Sequence, residues 1–308
     1  MAVITTKAEH FLEAVKPGTD GKTPGRAVMK AALLVSPEGF RLSRESAADN
    51  AYMKPGLPLD LGQATRQHAA LATKLEELGV TVHLFSGIDG QDDGVFPNNV
   101  FATVAGRVVG GSMRHPGRQK EAGREDIRDF FKNSLGYELI DLSGESCIAE
   151  MTGPLVIDRA RNIGFCGMSS RVDEAGCELM AEALHLDAVL RFDLAEGEYH
   201  ANMILSVAAG ELCLVHPGSA PNPFLLKSLR SIYRDRILVL NQAEKDAFVG
   251  NCIAATESDL LFSQRACNSL REGSRESLKD WGFRIHFLDV SEFEKAGGSV
   301  RCLVAEIF

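Results

Sequence analysis

The sequence has one tryptophan and four tyrosines, and it never assembles the roughly 20 consecutive apolar residues that a membrane-spanning helix needs. Basic charge is also short: 33 Lys and Arg face 42 Asp and Glu, a net charge of −9. That balance argues against nucleic acid or an anionic membrane as the main partner. The N-terminal stretch MAVITTKAEHFLEAVKPGTDGKTPGRA lacks the apolar run and small-residue cleavage site of a secretory signal. Cysteines number seven, at Cys147, Cys166, Cys177, Cys213, Cys252, Cys267 and Cys302. An odd, unpatterned set without a signal reads as reduced thiols in a cytoplasmic protein. CxxC, HExxH, P-loop and GxGxxG patterns are all missing, so no metal, nucleotide or nicotinamide cofactor is expected.

What is present is a repeat. A 45% apolar chain of 308 residues can bury a large core. After a lead-in over residues 1–27, expected to be partly flexible, one pattern recurs: a tight hairpin, an amphipathic helix and a further strand. Complete ββαβ units begin at NVFATVAGRVVGG, PLVIDRARNIGFCG, ANMILSVAAGELCLV and NCIAATESDLLFS. Helices are predicted to start near 62, 119, 173, 222 and 265. The early strand KAALLVS lacks a hairpin partner, and so does the last strand, RCLVAEIF. Pairing the two makes a fifth unit and predicts one domain over 28–308, a closed α/β ring.

The residues that open the first strand of each unit then share one register: FPNN (Asn98, Asn99), AEMTG (Glu150), EYHAN (His200), VGNC (Asn251) and VRC (Cys302). Each alone has an ordinary reading: Cys302 as core filler, Asn98-Asn99 as a turn, Glu150 as a surface cap. Fivefold pseudosymmetry would bring them to one axis, and a thiol, an imidazole and a carboxylate together are the parts of a nucleophilic site. Cys147 is the rival thiol, but it opens no comparable strand. His83 and His286 lie within strands and read as structural.

These stretches, with SPEGFRLSRESAADNAYM (36–53) and MSSRVDEAG (168–176), resemble the guanidino-group-modifying (amidinotransferase) superfamily. The likeness is nearest to its arginine-deiminase-related, citrulline-utilisation hydrolases and more distant to dimethylargininases. It implies the pentein fold, a five-bladed α/β propeller of ββαβ units. It also implies Cys302 as nucleophile, with an unusually ionised thiol, His200 as general acid and base, and Glu150 as the acid orienting His200 and keeping it charged. Arg171 would hold a substrate carboxylate, Asp93 would match an acidic substrate contact, and Arg114 or Arg118 would add a second basic one. Asn98, Asn99 and Asn251 complete the expected substrate contacts.

Related dimethylargininases carry an acidic pair where this chain has Asn98-Asn99. Two amides offer donors and acceptors without charge, which suits a neutral ureido group or a site taking ureido and guanidino groups in turn. The expected activity is hydrolysis of C–N bonds in citrulline- or arginine-type free amino acids through a covalent Cys302 adduct. Dimethylargininase, arginine deiminase and amidinotransferase activities stay open, as do a non-catalytic amino-acid-binding propeller and a cysteine protease. The expected partner is a small amino-acid substrate, with homodimer formation left open.

Overall fold

The computed structural model describes residues 2–15 and 25–308. Among them lie five small sheets, none closed on itself. Four have the same build: an antiparallel pair, then a helical crossover, then a third strand parallel to the second. Phe101–Val104, Arg107–Gly110 and Glu138–Asp141 form one. Leu205–Ala208, Leu212–Val215 and Ile237–Val239 form the next of this kind. Ile253–Ala254, Asp259–Ser263 and Arg284–Leu288 repeat it, and so do Leu155–Asp158, Ile163–Met168 and Ala188–Asp193. The remaining sheet joins the two ends of the chain. Ala305–Ile307 runs antiparallel to Ala31–Val35, which is parallel to Thr81–Phe85. The split fifth unit is therefore formed by the pairing the sequence predicts.

Helix starts follow their capping signals. Asp60 caps Leu61–Glu77 through Gln63 N, Asp173 caps Glu174–Ala183, and Asn222 with Pro223 opens Pro223–Tyr233. Two predicted helices are broken. The one near 119 becomes Pro116–Ala122 and Glu125–Asp129, divided at Gly123-Arg124, and ends in a π turn over Phe130–Ser134. The one near 265 splits at Leu270-Arg271, where extended backbone separates Gln264–Ser269 from Glu272–Asp280.

Part of the expected lead-in is structured. Val3–Thr5 adds a fourth strand parallel to Ala188–Asp193, and helix Ala8–Ala14 buries Phe11 edge-on against Phe165 at 5.5 Å. Two apolar residues, Ala8 and Phe11, lie three apart on one helical face, which is enough to dock a short helix. The Gly/Pro/Lys-rich part over 16–24 lies outside the described residues.

Neighbouring sheets are stitched where their first strands open. Asn98 Nδ2 donates to Thr152 O (3.2 Å), and Thr152 Oγ1 donates back to Asn98 O (2.7 Å). Asn202 Nδ2 donates to the same Thr152 O (3.0 Å), and Asn251 Nδ2 to Asn202 O (2.9 Å). Asn251 also touches Cys302 Sγ, and Thr103 Oγ1 donates to Glu306 O (3.0 Å). Beneath this line Phe40 stacks on Phe293 at 5.3 Å and meets Phe96 edge-on, fixing the start of the 36–53 segment beside Asn98-Asn99. No helix among the described residues is long and apolar enough to cross a membrane.

His68 gives this core a pH dependence. It is 2% exposed on helix Leu61–Glu77, against Phe293, and burial lowers its pKa to about 4. Its folded value lies below the unfolded one, so the unfolded chain takes the proton first as pH falls. Stability is full above about pH 6.5 and is lost progressively down to about pH 4, by roughly 3 kcal/mol at most from this group. Urea unfolding at pH 7 and 4.5 should show a smaller acid loss in His68→Gln than in wild type; equal losses would remove His68 from this role.

Candidate active site

The strand-opening turns carry the predicted side chains to one cavity. Asp93, Asn98, Asn99, Arg118, Arg171, His200 and Cys302 line it, together with Ser46, Asn50 and Tyr199. Behind the lining, bonded to Asn99, Arg171 and His200, is Glu150, 0% exposed. Its carboxylate accepts from His200 Nε2 (3.0 Å), Asn99 Nδ2 (2.9 Å), Arg171 Nη1 (3.1 Å) and the backbone N of Arg114 (3.3 Å). Burial alone would raise the pKa of this acid. Arg171 and His200 reverse that and hold it well below the usual carboxylate range. Glu150 is therefore ionised across the working pH range. Met151, next in the chain, has φ 31°, a sparsely populated value for a non-glycine residue, as the chain turns from Glu150 into its strand.

His200 is oriented by Glu150 and seated on Gly153. A Cβ at Gly153 would lie 2.6–2.8 Å from three atoms of the imidazole, so a glycine is required there. Burial lowers the His200 pKa, against the pull of Glu150 and with help from Arg171 and Arg118. Cys302 is 6% exposed, its Sγ 3.4 Å from Asn251 Nδ2. Burial also pushes the thiol up, opposed by the Ser299 backbone, Asn251, Arg301 and Arg118. Both directions run against the charge expected from the sequence: burial raises the Cys302 pKa and lowers that of His200 more than the neighbouring charges oppose it.

A profile described as N,N dimethylarginine dimethylhydrolase, eukaryotic, matches residues 36–308. The chain belongs to that family. It is accordingly a hydrolase acting on carbon–nitrogen bonds of guanidino groups in arginine-type substrates. The N(G),N(G)-dimethylarginine dimethylaminohydrolase of Mycobacterium tuberculosis is 26% identical over 84% of this chain and 81% of its own length. The fold of this chain is similar to the N-terminal domain of the cyanobacterial arginine dihydrolase ArgZ bound to substrate (TM-score 0.79, 19% identity, 90% of this chain and 97% of that one). It is also similar to the Pseudomonas aeruginosa family enzyme complexed with citrulline (TM-score 0.70, 18% identity, 91% and 100%).

Within the family site, the remaining expected contacts divide. Asn99 bridges Glu150 and Arg118, accepting from Arg118 Nη2 at 3.0 Å. Arg118 itself is buried, ion-paired to Glu121 through Nε at 2.6 Å. Arg114 is 41% exposed at the rim, where Nη1 donates to Ser170 O. The amide nitrogens of Asn98 and Asn251 donate to the backbone of neighbouring units and act as stitches; Asn98 also lines the cavity. Asp93 lines the cavity and accepts from Ser46 Oγ. Cys147 lies outside the cavity lining, half-buried behind Ser112. His83 packs on Phe130 and His286 bonds Asp259, both structural as read.

Sequence reasoning missed the residues of the 41–53 segment. Asp49 accepts from Arg171 Nε (3.0 Å) and Nη2 (2.6 Å), Ser170 Oγ (2.9 Å) and His115 Nε2 (3.2 Å), and lies 3.3 Å from Arg114 Nε. Asn50 and Ser46 line the cavity directly. Acidic and amide residues in the loop SRESAADN were the available signal, but no strand register pointed to them.

Two outcomes follow from the geometry. Inactivation of the free enzyme by iodoacetamide should show a midpoint above the ordinary thiol pKa of about 8.5; a midpoint below 7 would mean a thiolate already formed in the empty site. Gly153→Ala should lower kcat about 100-fold with KM little changed, because the ring must leave its alignment with Glu150. Wild-type kcat in a folded Gly153→Ala protein would show that the seat is not needed.

Proposed function

We propose that this hydrolase acts on free arginine-type amino acids and also accepts the neutral ureido group of citrulline, giving ornithine as the final amino acid. The observation that carries this reading is the amide of Asn99 placed between Glu150 and Arg118. A second carboxylate there would favour a cation. An amide does not, while Asp93 on the cavity wall can still pair with a guanidinium.

In this reading Cys302 is the nucleophile, His200 the proton carrier, Glu150 its orienting partner, and Arg171 the holder of the substrate carboxylate. Sγ attacks the guanidino or ureido carbon as its proton passes to His200, directly or through the substrate. His200 returns a proton to the departing nitrogen, and the C–N bond breaks to leave an S-linked adduct. From arginine the leaving group is ammonia, and water then adds to the adduct and breaks its C–S bond to release citrulline and restore the thiol. From citrulline it is the side-chain nitrogen of ornithine, and water then releases carbamate, which gives ammonia and carbon dioxide. Glu150 keeps the imidazole aligned through both halves, so charge on His200 is transient. The solved relatives support the covalent route: one structure of the ArgZ domain holds a reaction intermediate covalently bound.

The architecture belongs to the same proposal. Five units stitched in sequence order, with the last strand paired to the first, support a closed five-bladed propeller whose axis is the active site. Free thiols at all seven cysteines fit a reducing cytoplasm, and the partner is the amino-acid substrate.

Incubation with arginine, citrulline and asymmetric dimethylarginine, with ammonia, dimethylamine, citrulline and ornithine all read, tests the assignment. Ornithine should form from both arginine and citrulline, and Cys302→Ser should form none. Stoichiometric citrulline from arginine, or dimethylamine as the dominant amine, would replace the reading with deiminase or dimethylargininase. Asn99→Asp should shift kcat/KM toward guanidino substrates by about tenfold or more, one charge-assisted contact. An unchanged ratio would deny Asn99 that control.

A further inference from the structure

We propose that Asp49 is an internal carboxylate that occupies the substrate-carboxylate position on Arg171, so that a substrate binds by exchanging its own carboxylate for that of Asp49. The proposal rests on the preceding functional reading and names what the site demands of a ligand's tail.

Arg171 is 2% exposed and all three of its nitrogens are engaged: Nε and Nη2 by Asp49, Nη1 by Glu150. The side-on pair with Asp49 is the bidentate geometry that a free carboxylate would adopt on a guanidinium. Arg114, His115 and Ser170 converge on the same carboxylate. The 41–53 segment that carries Asp49 also contributes Ser46 and Asn50 to the cavity lining.

That segment is tied at several points. Asp49 holds it to Arg171, the Asn50 amide reaches Ala296 O, and Tyr52 Oη donates to the buried carboxylate of Glu198, which Lys245 also pairs. Moving Asp49 away leaves Arg171 a buried cation with Glu150 alone, and Glu150 is shared with His200. A ligand that brings its own carboxylate restores the lost pair; one without it cannot. Asp49 therefore weakens binding of carboxylate-bearing substrates in general while leaving ligands that ignore Arg171 unaffected.

Calorimetric Kd values measured on the Cys302→Ser protein separate the outcomes, with citrulline as the carboxylate ligand and butylurea as the ligand lacking one. Asp49→Asn should tighten citrulline about tenfold, the value of one charge-assisted hydrogen bond, and leave butylurea unchanged. Tyr52→Phe, which keeps the ring and removes only the tie to Glu198, should tighten citrulline by a smaller factor and serves if Asp49→Asn does not fold. Unchanged or weaker citrulline binding in the folded variants overturns the proposal, weaker binding making Asp49 a direct substrate contact. If wild type turns over citrulline or arginine and the variants still fail to tighten, only this inference falls. If wild type neither binds nor turns over either compound, the functional reading falls with it.

Discussion

A carboxylate with no exposed surface has to be compensated entirely by its neighbours, and Glu150 is that group here. Losing one partner of such a buried pair costs about 3–5 kcal/mol, because the remaining charge stays uncompensated. Its partners come from separate parts of the fold: Asn99 from one strand-opening turn, His200 from another, Arg171 from the loop after Ile163–Met168, Arg114 through its backbone. Each is held at Glu150 by charge or by a hydrogen bond. The catalytic arrangement and the mutual placement of these units therefore rest on the same carboxylate.

The amides of the strand openings do the complementary work. Asn98, Asn202 and Asn251 donate across from one unit to the next, and Asn251 ends on Cys302. A neutral amide is suited to this because it satisfies buried backbone carbonyls without adding charge to an interior that already contains Glu150, Asp93, Arg118 and Arg171. The same neutrality leaves the Cys302 thiol without a strong anchor for a thiolate. On the proposed mechanism its ionisation is deferred to the moment a substrate carbon can receive the electron pair, and the proton it gives up is the one His200 needs. A neutral thiol with a neutral imidazole carries the same number of protons as a thiolate–imidazolium pair, so that mechanism requires no outside proton to start.

The repeat, the split fifth unit and the shared strand-opening register of Cys302, His200 and Glu150 were legible in the sequence, because a period survives local irregularity. The broken helices were not, since Gly123 and the Leu270-Arg271 step interrupt backbone without disturbing the apolar stripe that signals a helix. The docking of Ala8–Ala14 was hidden for a related reason: only Ala8 and Phe11 are fully buried in a helix of seven residues, too short a stripe to stand out from a polar leader. Ionisation was misread because a thiol and an imidazole beside charged residues suggest charge stabilisation, while the depth of burial that reverses it is a property of the packed fold alone. Roles of amides were equally illegible: Asn98 and Asn99 are adjacent, yet one stitches two units and the other faces Glu150.

Asp49 marks the division that this architecture imposes. The side chains proposed to perform the bond-breaking chemistry sit on turns packed between sheets, where a displacement disturbs several units at once. The 41–53 segment crosses the mouth from outside those sheets and is joined to them by side-chain contacts, through Asp49, Asn50 and Tyr52. On the proposal that Asp49 holds the substrate-carboxylate position, substitutions there would alter which substrate tail is accepted without touching the strand register, whereas substitutions at the strand openings would disturb Glu150 and the stitches together.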